Sequence, residues 1–384
     1  MFLLVGAALS VAIAVANICM GISLAAVVAW RVQAARAGDD PLAPFCRWTP
    51  VHFPIAAFVG WTLLAIPLST LPSRSVVEIK GQLTFLLVAT AAVLLRSAGD
   101  LRLLGLLWRL VALYLAVRGL VEFLGSGGGL DARLKGGLSV HMTYAGLLML
   151  LVLVLLARAL SPEEPRMSRL LDGGVAALGT LAIALSLTRN AYLGLGIGVL
   201  ALVLLLKPRI VFVLAPLLVV AWLVAPVSVR ERARSVFDAS DEAARDRIAM
   251  WKAGRLMIRD HPLFGVGPGR IKGTYPDYRQ PGYVTPVVGH LHNNLVMTAA
   301  ETGLPSAAFY LWFVAAAILG GIRRARAPGT DPGRPFARAT VAVFAGLFVA
   351  GMFEYNFGDV EILIPTLVLS VFPWVGAGAP SAAD

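Results

Sequence analysis

Long apolar runs dominate this chain and restrict its fold more than any other feature. Of the 384 residues, 58% are hydrophobic and only 14% are charged, against about 25% charged residues in a soluble globular domain. A transmembrane helix needs about 20 mostly apolar residues. Runs that approach this length lie near residues 3–30, 52–71, 82–96, 102–124, 140–158, 172–188, 191–206, 209–226, 303–321, 339–356 and 360–377. The sequence therefore predicts an all-α, polytopic membrane protein with about eleven transmembrane helices, in a range of roughly ten to twelve.

Basic residues in the short loops predict the orientation of the chain. Loop 322–338 carries five arginines against one aspartate, and loop 157–171 carries three arginines. If the helices alternate, these loops share one side, which the positive-inside rule makes cytoplasmic. Segment 227–302 then lies on the periplasmic face of a bacterial inner membrane. It separates the N-terminal helices (1–226) from the C-terminal helices (303–384), and we expect it to be a periplasmic catalytic loop.

The net charge bears on the kind of partner. The chain has 33 Lys and Arg residues against 22 Asp and Glu, which gives a net charge of +11. In a soluble protein this excess would suggest nucleic acid, but here most of it falls between apolar runs. Such charges set topology and contact anionic head groups. We therefore expect membrane lipids, and no nucleic acid, as partners.

An amphipathic helix at the membrane surface is predicted over residues 242–259. Apolar and basic positions alternate there at helical spacing. Arg247, Trp251 and Arg255 recur every four residues and share one face, whereas Arg245 has acidic neighbours as ordinary ion-pair partners. These arginines are candidates for a phosphate-binding surface. A solvated helix face that contacts anionic lipid is the simpler alternative.

Charged and aromatic residues near the predicted membrane edge add candidates for substrate binding. Arg189 lies in a short turn on the predicted outer face, where positive residues are disfavoured. Its presence there is explained either by phosphate binding or by a side chain that snorkels to the membrane surface. Arg118 lies four residues before Glu122 inside the fourth apolar run, 102–124. Arg118 therefore either has a functional role or forms an internal ion pair with Glu122. Glu354 lies beside the last outer loop, and we favour a structural or acceptor-side role for it. Tyr278 lies in the loop after the amphipathic helix.

Two histidines and an asparagine at the end of the loop are the strongest candidates for catalysis. A neutral imidazole accepts a proton near neutral pH, so His290 or His292 with Asn293 suits a general base acting on a hydroxyl. Histidines at i and i+2 without cysteine or HExxH spacing do not predict a zinc site, and we expect no metal or other cofactor. The glycine turn 265–269 lacks the preceding strand and the Lys-Ser/Thr of a P-loop, which favours a structural turn.

The order of these motifs resembles the O-antigen ligase family. That family has roughly ten to twelve spans, a large late periplasmic loop and the motif His-[Asn/Ser/Gln]-x9-Gly-x-x-[Gly/Thr/Tyr]. Here His292-Asn293 is followed by nine residues and then Gly303. Only Ser306 departs from the motif, at its last position, where it is still small.

Two further segments carry the resemblance. Residues 188–192, Thr-Arg-Asn-Ala-Tyr, resemble the family's Ser/Thr-Arg segment. Arg247-x-x-x-Trp251, together with Pro-Leu-Phe-Gly-Val-Gly-Pro-Gly at 262–269, resembles its loop signature. The resemblance covers roughly residues 180–310, and the N-terminal spans match only in hydropathy.

The resemblance implies a metal-independent, inverting glycosyltransferase with a GT-C-like membrane fold. It implies transfer of glycan from an undecaprenyl-pyrophosphate-linked donor to an acceptor hydroxyl, on lipid A-core for a ligase. If the family's roles apply to the matching residues, Arg189 and Arg247 bind the donor pyrophosphate. His292 then deprotonates the acceptor hydroxyl, and Asn293 supports His292. The x9-Gly spacing selects His292 over His290. The remaining candidates for substrate binding are Arg245, Arg255, Arg118, His290, Glu354 and Tyr278.

Other functions fit the same motifs. An O-antigen or exopolysaccharide polymerase would use a second carrier-linked glycan as acceptor, and a protein O-oligosaccharyltransferase would use a protein. From a different class, a transporter of lipid-linked oligosaccharide is an alternative that inverted repeats or paired broken helices would favour, and neither stands out in the sequence. A scaffold that merely binds lipid through its arginines is the last alternative.

Overall fold

The computed structural model describes residues 48–127, 134–138, 140–207, 242–279 and 288–376, with four isolated positions (29, 33, 36 and 209). These described residues form helices and contain no strand. The helices are α1 (His52–Ala65), α2 (Pro72–Leu94), α3 (Ala98–Gly125), α4 (His141–Ala159), α5 (Arg166–Leu185), α6 (Arg189–Leu206), α7 (Glu242–Asp260), α8 (Ile271–Tyr278), α9 (Asn294–Thr302), α10 (Leu304–Arg326), α11 (Arg334–Ala350) and α12 (Val360–Ser370).

Six of these helices are long and apolar enough to cross a membrane, namely α2 to α6 and α10. The shorter helix α1 and the segment Val360–Trp374 are also apolar. The all-helical, multi-pass membrane architecture is therefore confirmed. The predicted runs 3–30 and 209–226 lie outside the described residues, so a total of about eleven spans stays a prediction.

Several predicted helix boundaries were wrong, those of α2 and α11 among them. Helix α2 begins at Pro72 and not near residue 82, because charged side chains in its first turns lower the local hydropathy although proline favours the first helical position. Helix α11 begins at Arg334 and ends at Ala350, whereas the predicted run extended to residue 356. The chain leaves the helix at Gly351, and residues 351–359 form a loop that includes Glu354.

Helix α4 forms the centre of the bundle. Within its most apolar 18-residue window, 83% of the residues are buried, against 28% in α5 and in α6. A helix that is apolar on all sides is stable only when it is surrounded by protein or lipid. The sequence alone could not distinguish these two environments, and the fold shows that α4 is surrounded by protein.

Glycines bring α6 close to α11 in an antiparallel arrangement. A Cβ atom added to Gly194 would lie 2.8 Å from the carbonyl oxygen of Gly346, and one added to Gly198 would lie 2.9 Å from that of Ala342. Small residues allow such close backbone approach between membrane helices. This register aligns the beginning of α6 with the end of α11.

We name the end of the bundle at which α4, α6 and α10 begin the upper end, and the opposite one the lower end. At the lower end Arg338 pairs with Glu163 at 2.8 Å, and Arg334 pairs with Glu163 at 3.4 Å. The two basic loops, 157–171 and 322–338, therefore meet at one end, as the alternation of helices requires. That this end is cytoplasmic stays a prediction.

Candidate active site

The predicted amphipathic helix is α7, and its apolar face packs against protein. Ala253 and Met257 are buried in a cluster with Leu291 and Met297. A Cβ atom added to Gly254 would lie 2.5 Å from the Val296 side chain, so α7 and α9 lie in close contact. The apolar face that we expected to contact lipid therefore contacts α9 and the segment before it, and it holds the arginine-bearing helix beside the histidines.

The spacing of the sequence motif follows from the geometry of α9. Asn293 is the N-cap of this nine-residue helix, and its side-chain oxygen accepts a hydrogen bond from the Val296 N–H at 3.0 Å. Gly303 ends the helix with φ +91°, and an added Cβ would lie 1.9 Å from the Leu263 carbonyl oxygen. Ser306 is fully buried, which explains the need for a small residue there. The nine intervening residues are therefore the length of one short helix.

His292 lies directly before this cap in a left-handed backbone conformation, with φ +47°. Non-glycine residues rarely adopt it, although histidine does so more often than most. Its Nδ1 lies 3.0 Å from Glu354 Oε2. An ionised carboxylate only accepts hydrogen bonds, so Nδ1 carries the proton and Nε2 has the free lone pair. The arrangement is that of a general base oriented by a carboxylate.

Burial and hydrogen bonding compete at Glu354. Burial acts to raise the pKa of this carboxyl, but the hydrogen bond from His292 and the nearby charge of both histidines bring it below its usual value. Glu354 therefore stays ionised and retains its capacity to accept. We had favoured a structural or acceptor-side role for it, and its contact with His292 indicates a positioning role. No local pattern joins the two, because 62 residues separate them.

His290 lies beside His292, with the two ring centroids 4.2 Å apart. Its Nδ1 is 3.7 Å from Glu354 Oε1, too long for a hydrogen bond. Burial, and then the neighbouring His292, lower its pKa. His292 is therefore the histidine that Glu354 orients.

Two adjacent asparagines attach loop 351–359 to α9. The Asn293 side chain donates to the Met352 carbonyl at 2.9 Å. The Asn294 side chain donates to the Tyr310 hydroxyl at 3.0 Å and accepts from the Phe357 N–H at 3.1 Å. These bonds bring Glu354 to His292. Support of His292 by Asn293 is predicted from the sequence, but the role of Asn294 is not. The only sequence signal for Asn294 is the pair of asparagines before an apolar helix.

Three buried polar atoms near α7 and the histidines have no hydrogen-bond partner among the described residues. Within the described part of the chain, Arg247 Nε, Trp251 Nε1 and His290 Nδ1 are all buried and make no hydrogen bond. The Trp251 ring lies 6.2 Å from the Phe353 ring, next to Glu354, and Arg247 lies one turn before Trp251. Buried polar groups are nearly always hydrogen-bonded. Their clustering here indicates a place where a polar ligand supplies the acceptors.

Arg189 is the first residue of α6 at the upper end, and it is exposed. The positive end of the helix dipole and a guanidinium thus coincide, a combination that favours an anion. The antiparallel register of α6 and α11 brings the start of α6 to the end from which loop 351–359 departs. Arg189 therefore lies at the end of the bundle that carries His292 and Glu354.

The other candidates occupy different surroundings. Arg245 and Arg255 are exposed on α7. Arg118 is exposed near the upper end of α3, and Glu122 accepts from the backbone N–H groups of Lys135 and Gly136 at 3.0 and 2.8 Å. No ion pair between Arg118 and Glu122 occurs among the described residues. Their roles in substrate binding stay predictions.

Tyr278 packs against the buried cluster that contains Leu291. Its hydroxyl is hydrogen-bonded to Asp260 at the end of α7, and it lines a separate cavity of about 470 Å³.

The glycine turn 265–269 is structural, as predicted. Its Val266 and Gly267 N–H groups donate to the carbonyl oxygens of Ala300 and Glu301, both at 2.9 Å, and the Gly269 N–H donates to the Glu301 carboxylate at 2.5 Å. These donors are already used, so they do not form a phosphate cradle. The turn instead holds the end of α9.

Glu301 makes the stability of this unit depend on pH. Burial raises its pKa from 4.5 to about 7, so the stability associated with the protonated form is full below about pH 4.5 and is lost as pH rises through about 7. Glu301→Gln cannot ionise and still accepts the Gly269 hydrogen bond. We expect this variant to be more stable than the wild type at pH 8.5, on the order of 3 kcal/mol at about 1.4 kcal/mol per tenfold change in proton affinity, and to lose the advantage at pH 4.

Thermal unfolding in detergent across this pH range measures the effect. Asp277→Asn, which neutralises an exposed carboxylate on α8, serves as the control and is expected to follow the wild type. Parallel pH profiles for Glu301→Gln and the wild type would contradict the prediction.

The histidine cluster also has the composition of a metal site. His290, His292 and Glu354 each offer one potential ligand atom, and these three atoms lie within 4.8 Å of one another. Two imidazoles and one carboxylate are the protein ligands of some open zinc sites. The spacing of the two histidines alone does not predict zinc, and it carries no information about Glu354. A metal-free mechanism therefore stays a prediction to be tested.

Comparison with known proteins identifies part of the chain. Residues 174–311 match a family model described as O-antigen ligase. The matched region includes most of α5, all of α6 and α7, the His290–Asn293 segment, α9 and the first turns of α10. No curated protein matches the chain.

Proposed function

We propose that this protein, which matches an O-antigen ligase family model over residues 174–311, transfers glycan from an undecaprenyl-pyrophosphate carrier to a hydroxyl of lipid A-core. The match supports a membrane glycosyltransferase of the ligase or polymerase type. The observation that carries the finer proposal is the His292–Glu354 contact at 3.0 Å. We place the reaction at the periplasmic face of the inner membrane.

His292 acts as the general base in this proposal. Its Nε2 takes the proton of the acceptor hydroxyl while the oxygen attacks the anomeric carbon of the donor. The bond from that carbon to the pyrophosphate breaks, and the electron pair leaves with the carrier. Attack from the face opposite the leaving group inverts the anomeric centre. Glu354 stabilises the imidazolium that forms, as carboxylates do in other base–carboxylate pairs.

Arg189 and Arg247 stabilise the leaving group. The charge on the pyrophosphate grows as the glycosidic bond breaks, and preorganised donors aimed at developing charge lower the barrier. Arg247 suits this role because its buried Nε has no partner among the described residues. Arg189 adds the positive end of a helix dipole.

The function is tested by reconstitution of the purified protein in proteoliposomes with carrier-linked glycan. Transfer to lipid A-core, detected as a shift to larger lipopolysaccharide on gels, is the expected result. Extension of a second carrier-linked glycan with no transfer to lipid A-core would make the protein a polymerase. Binding of the carrier lipid with no transfer to either acceptor would contradict both functions and favour a scaffold or transporter.

EDTA treatment is expected to leave the transfer rate unchanged, because arginines supply the positive charge that a metal would otherwise provide. The assay is run after chelation, with and without added Zn²⁺ or Mg²⁺. Loss of transfer with EDTA and its recovery with Zn²⁺ would contradict the prediction. In that case His290, His292 and Glu354 would hold a metal, and His292 would not be the base.

A further inference from the structure

A cavity of about 470 Å³ opens at the C-terminal end of α7. It lies between the end of α7, helix α8 and the loop before α2. Its volume falls in the range of small-ligand sites, about 300–1,000 Å³. The side chains that define it are Asp260, His261, Arg270, Thr274, Asp277 and Tyr278.

The lining combines hydrogen-bond donors, acceptors and one aromatic ring. Asp260 already holds the Tyr278 hydroxyl, whereas Arg270 Nε is buried and makes no hydrogen bond within the described chain. The guanidinium of Arg270 lies over Gly273, where an added Cβ would be 3.1 Å from Nη1, so the absence of a side chain at Gly273 leaves room for it. Asp277 is exposed at the rim.

This chemistry fits a hydroxyl-rich, uncharged ligand. Sugar hydroxyls both donate and accept, so carboxylates and a guanidinium bind them together, and an aromatic ring contacts the apolar face of a sugar. Two carboxylates, Asp260 and Asp277, disfavour a phosphate in the same space. The polar lining also disfavours an acyl chain.

The position of the cavity relates it to the reaction site. Gly254 packs against the side chain of Leu291, which lies between the two histidines, and Asp260 lies six residues further along α7. At 1.5 Å per residue these two levels of α7 are about 9 Å apart. An oligosaccharide spans such a distance, whereas a single sugar does not.

We propose that this cavity is a glycan-binding subsite that holds a sugar unit remote from the bond being formed. The inference rests on the proposed glycan transfer and adds a determinant of glycan length. The sugar belongs either to the donor glycan or to the acceptor, and both have the same chemistry.

Two variants, Arg270→Ala and Asp277→Ala, test the subsite, with Lys272→Ala as a control on an exposed position of α8 that does not line the cavity. Transfer is measured with carrier-linked donors of one and of several repeat units, and then with short and long acceptor cores. Loss of a hydrogen bond corresponds to about 3- to 10-fold in affinity. We expect the KM of long substrates to rise by that factor, with kcat and the KM of single-repeat substrates unchanged. The series that responds, donor or acceptor, identifies the source of the sugar.

Binding without catalysis separates the two proposals. Glycan released from the carrier by mild acid is titrated into His292→Ala protein, and its contact is followed by saturation-transfer NMR. Weaker glycan binding by Arg270→Ala and Asp277→Ala than by Lys272→Ala supports the subsite. This conclusion holds even if the wild type shows no transfer, a result that would contradict only the proposed function. Unchanged KM and unchanged binding in both variants, or equal loss for short and long glycans, would overturn the subsite.

Discussion

His292→Ala is expected to lower the rate of glycan transfer by about 10²–10⁴-fold, the usual contribution of a positioned acid–base group. The loss should fall on kcat, because the carrier pyrophosphate is bound through the arginines. Single-turnover transfer from preloaded donor measures the chemical step directly. Donor binding and the thermal stability of the variant are measured in the same preparation, so that misfolding is not mistaken for lost catalysis.

His290→Ala is the matched control for this prediction. Its ring lies 4.2 Å from that of His292, so both variants perturb the same packing, but only His292 has the hydrogen bond to Glu354. His290→Ala is expected to cost less than tenfold. Equal losses in the two variants, or wild-type transfer by His292→Ala, would contradict the assignment of the base.

Glu354→Gln separates orientation from proton transfer. The amide still reaches His292 Nδ1 but no longer stabilises an imidazolium, so a smaller loss than that of His292→Ala is expected. A positioning role also predicts a changed pH profile of kcat, because Glu354→Gln removes a negative charge 3.0 Å from the base. A variant that lost activity with an unshifted profile would indicate a structural role alone.

The membrane helices follow from the sequence because each is a nearly unbroken apolar run. Where charges interrupt the run, as in the first turns of α2, hydropathy places the boundary too late. The sequence could not predict what the apolar face of α7 contacts. Packing against α9 and contact with a lipid surface require the same amphipathic pattern of residues. Only the fold decides between them.

The site was predictable where its signals are local. His292, Asn293 and Gly303 follow one after another along a single cap, helix and helix end, so their spacing is visible in the chain. Glu354 reaches His292 through a loop held by Asn293 and Asn294, and such long-range contacts leave no periodic pattern. The same limit applies to zinc, because a third ligand 62 residues from His292 is invisible to a spacing argument.

Asp172→Asn is expected to destabilise the folded protein by about 3–5 kcal/mol, the usual cost of removing one partner from a buried ion pair. Asp172 is fully buried and pairs with Arg109 at 2.6 Å and with Arg158 at 3.0 Å. An asparagine would leave two buried guanidinium groups with the neighbouring Glu164, 3.5 Å from Arg158, as the remaining carboxylate.

Unfolding in a denaturing detergent, followed by tryptophan fluorescence, measures this loss. Arg259→Gln, which breaks the exposed pair with Asp260 at 2.9 Å, is the control and is expected to cost less than about 1 kcal/mol. The double variant Asp172→Asn/Arg109→Gln should recover part of the stability, since it removes one uncompensated charge together with its partner. A loss no larger than that of Arg259→Gln, or no recovery in the double variant, would show that this cluster does not hold the lower end of the bundle together.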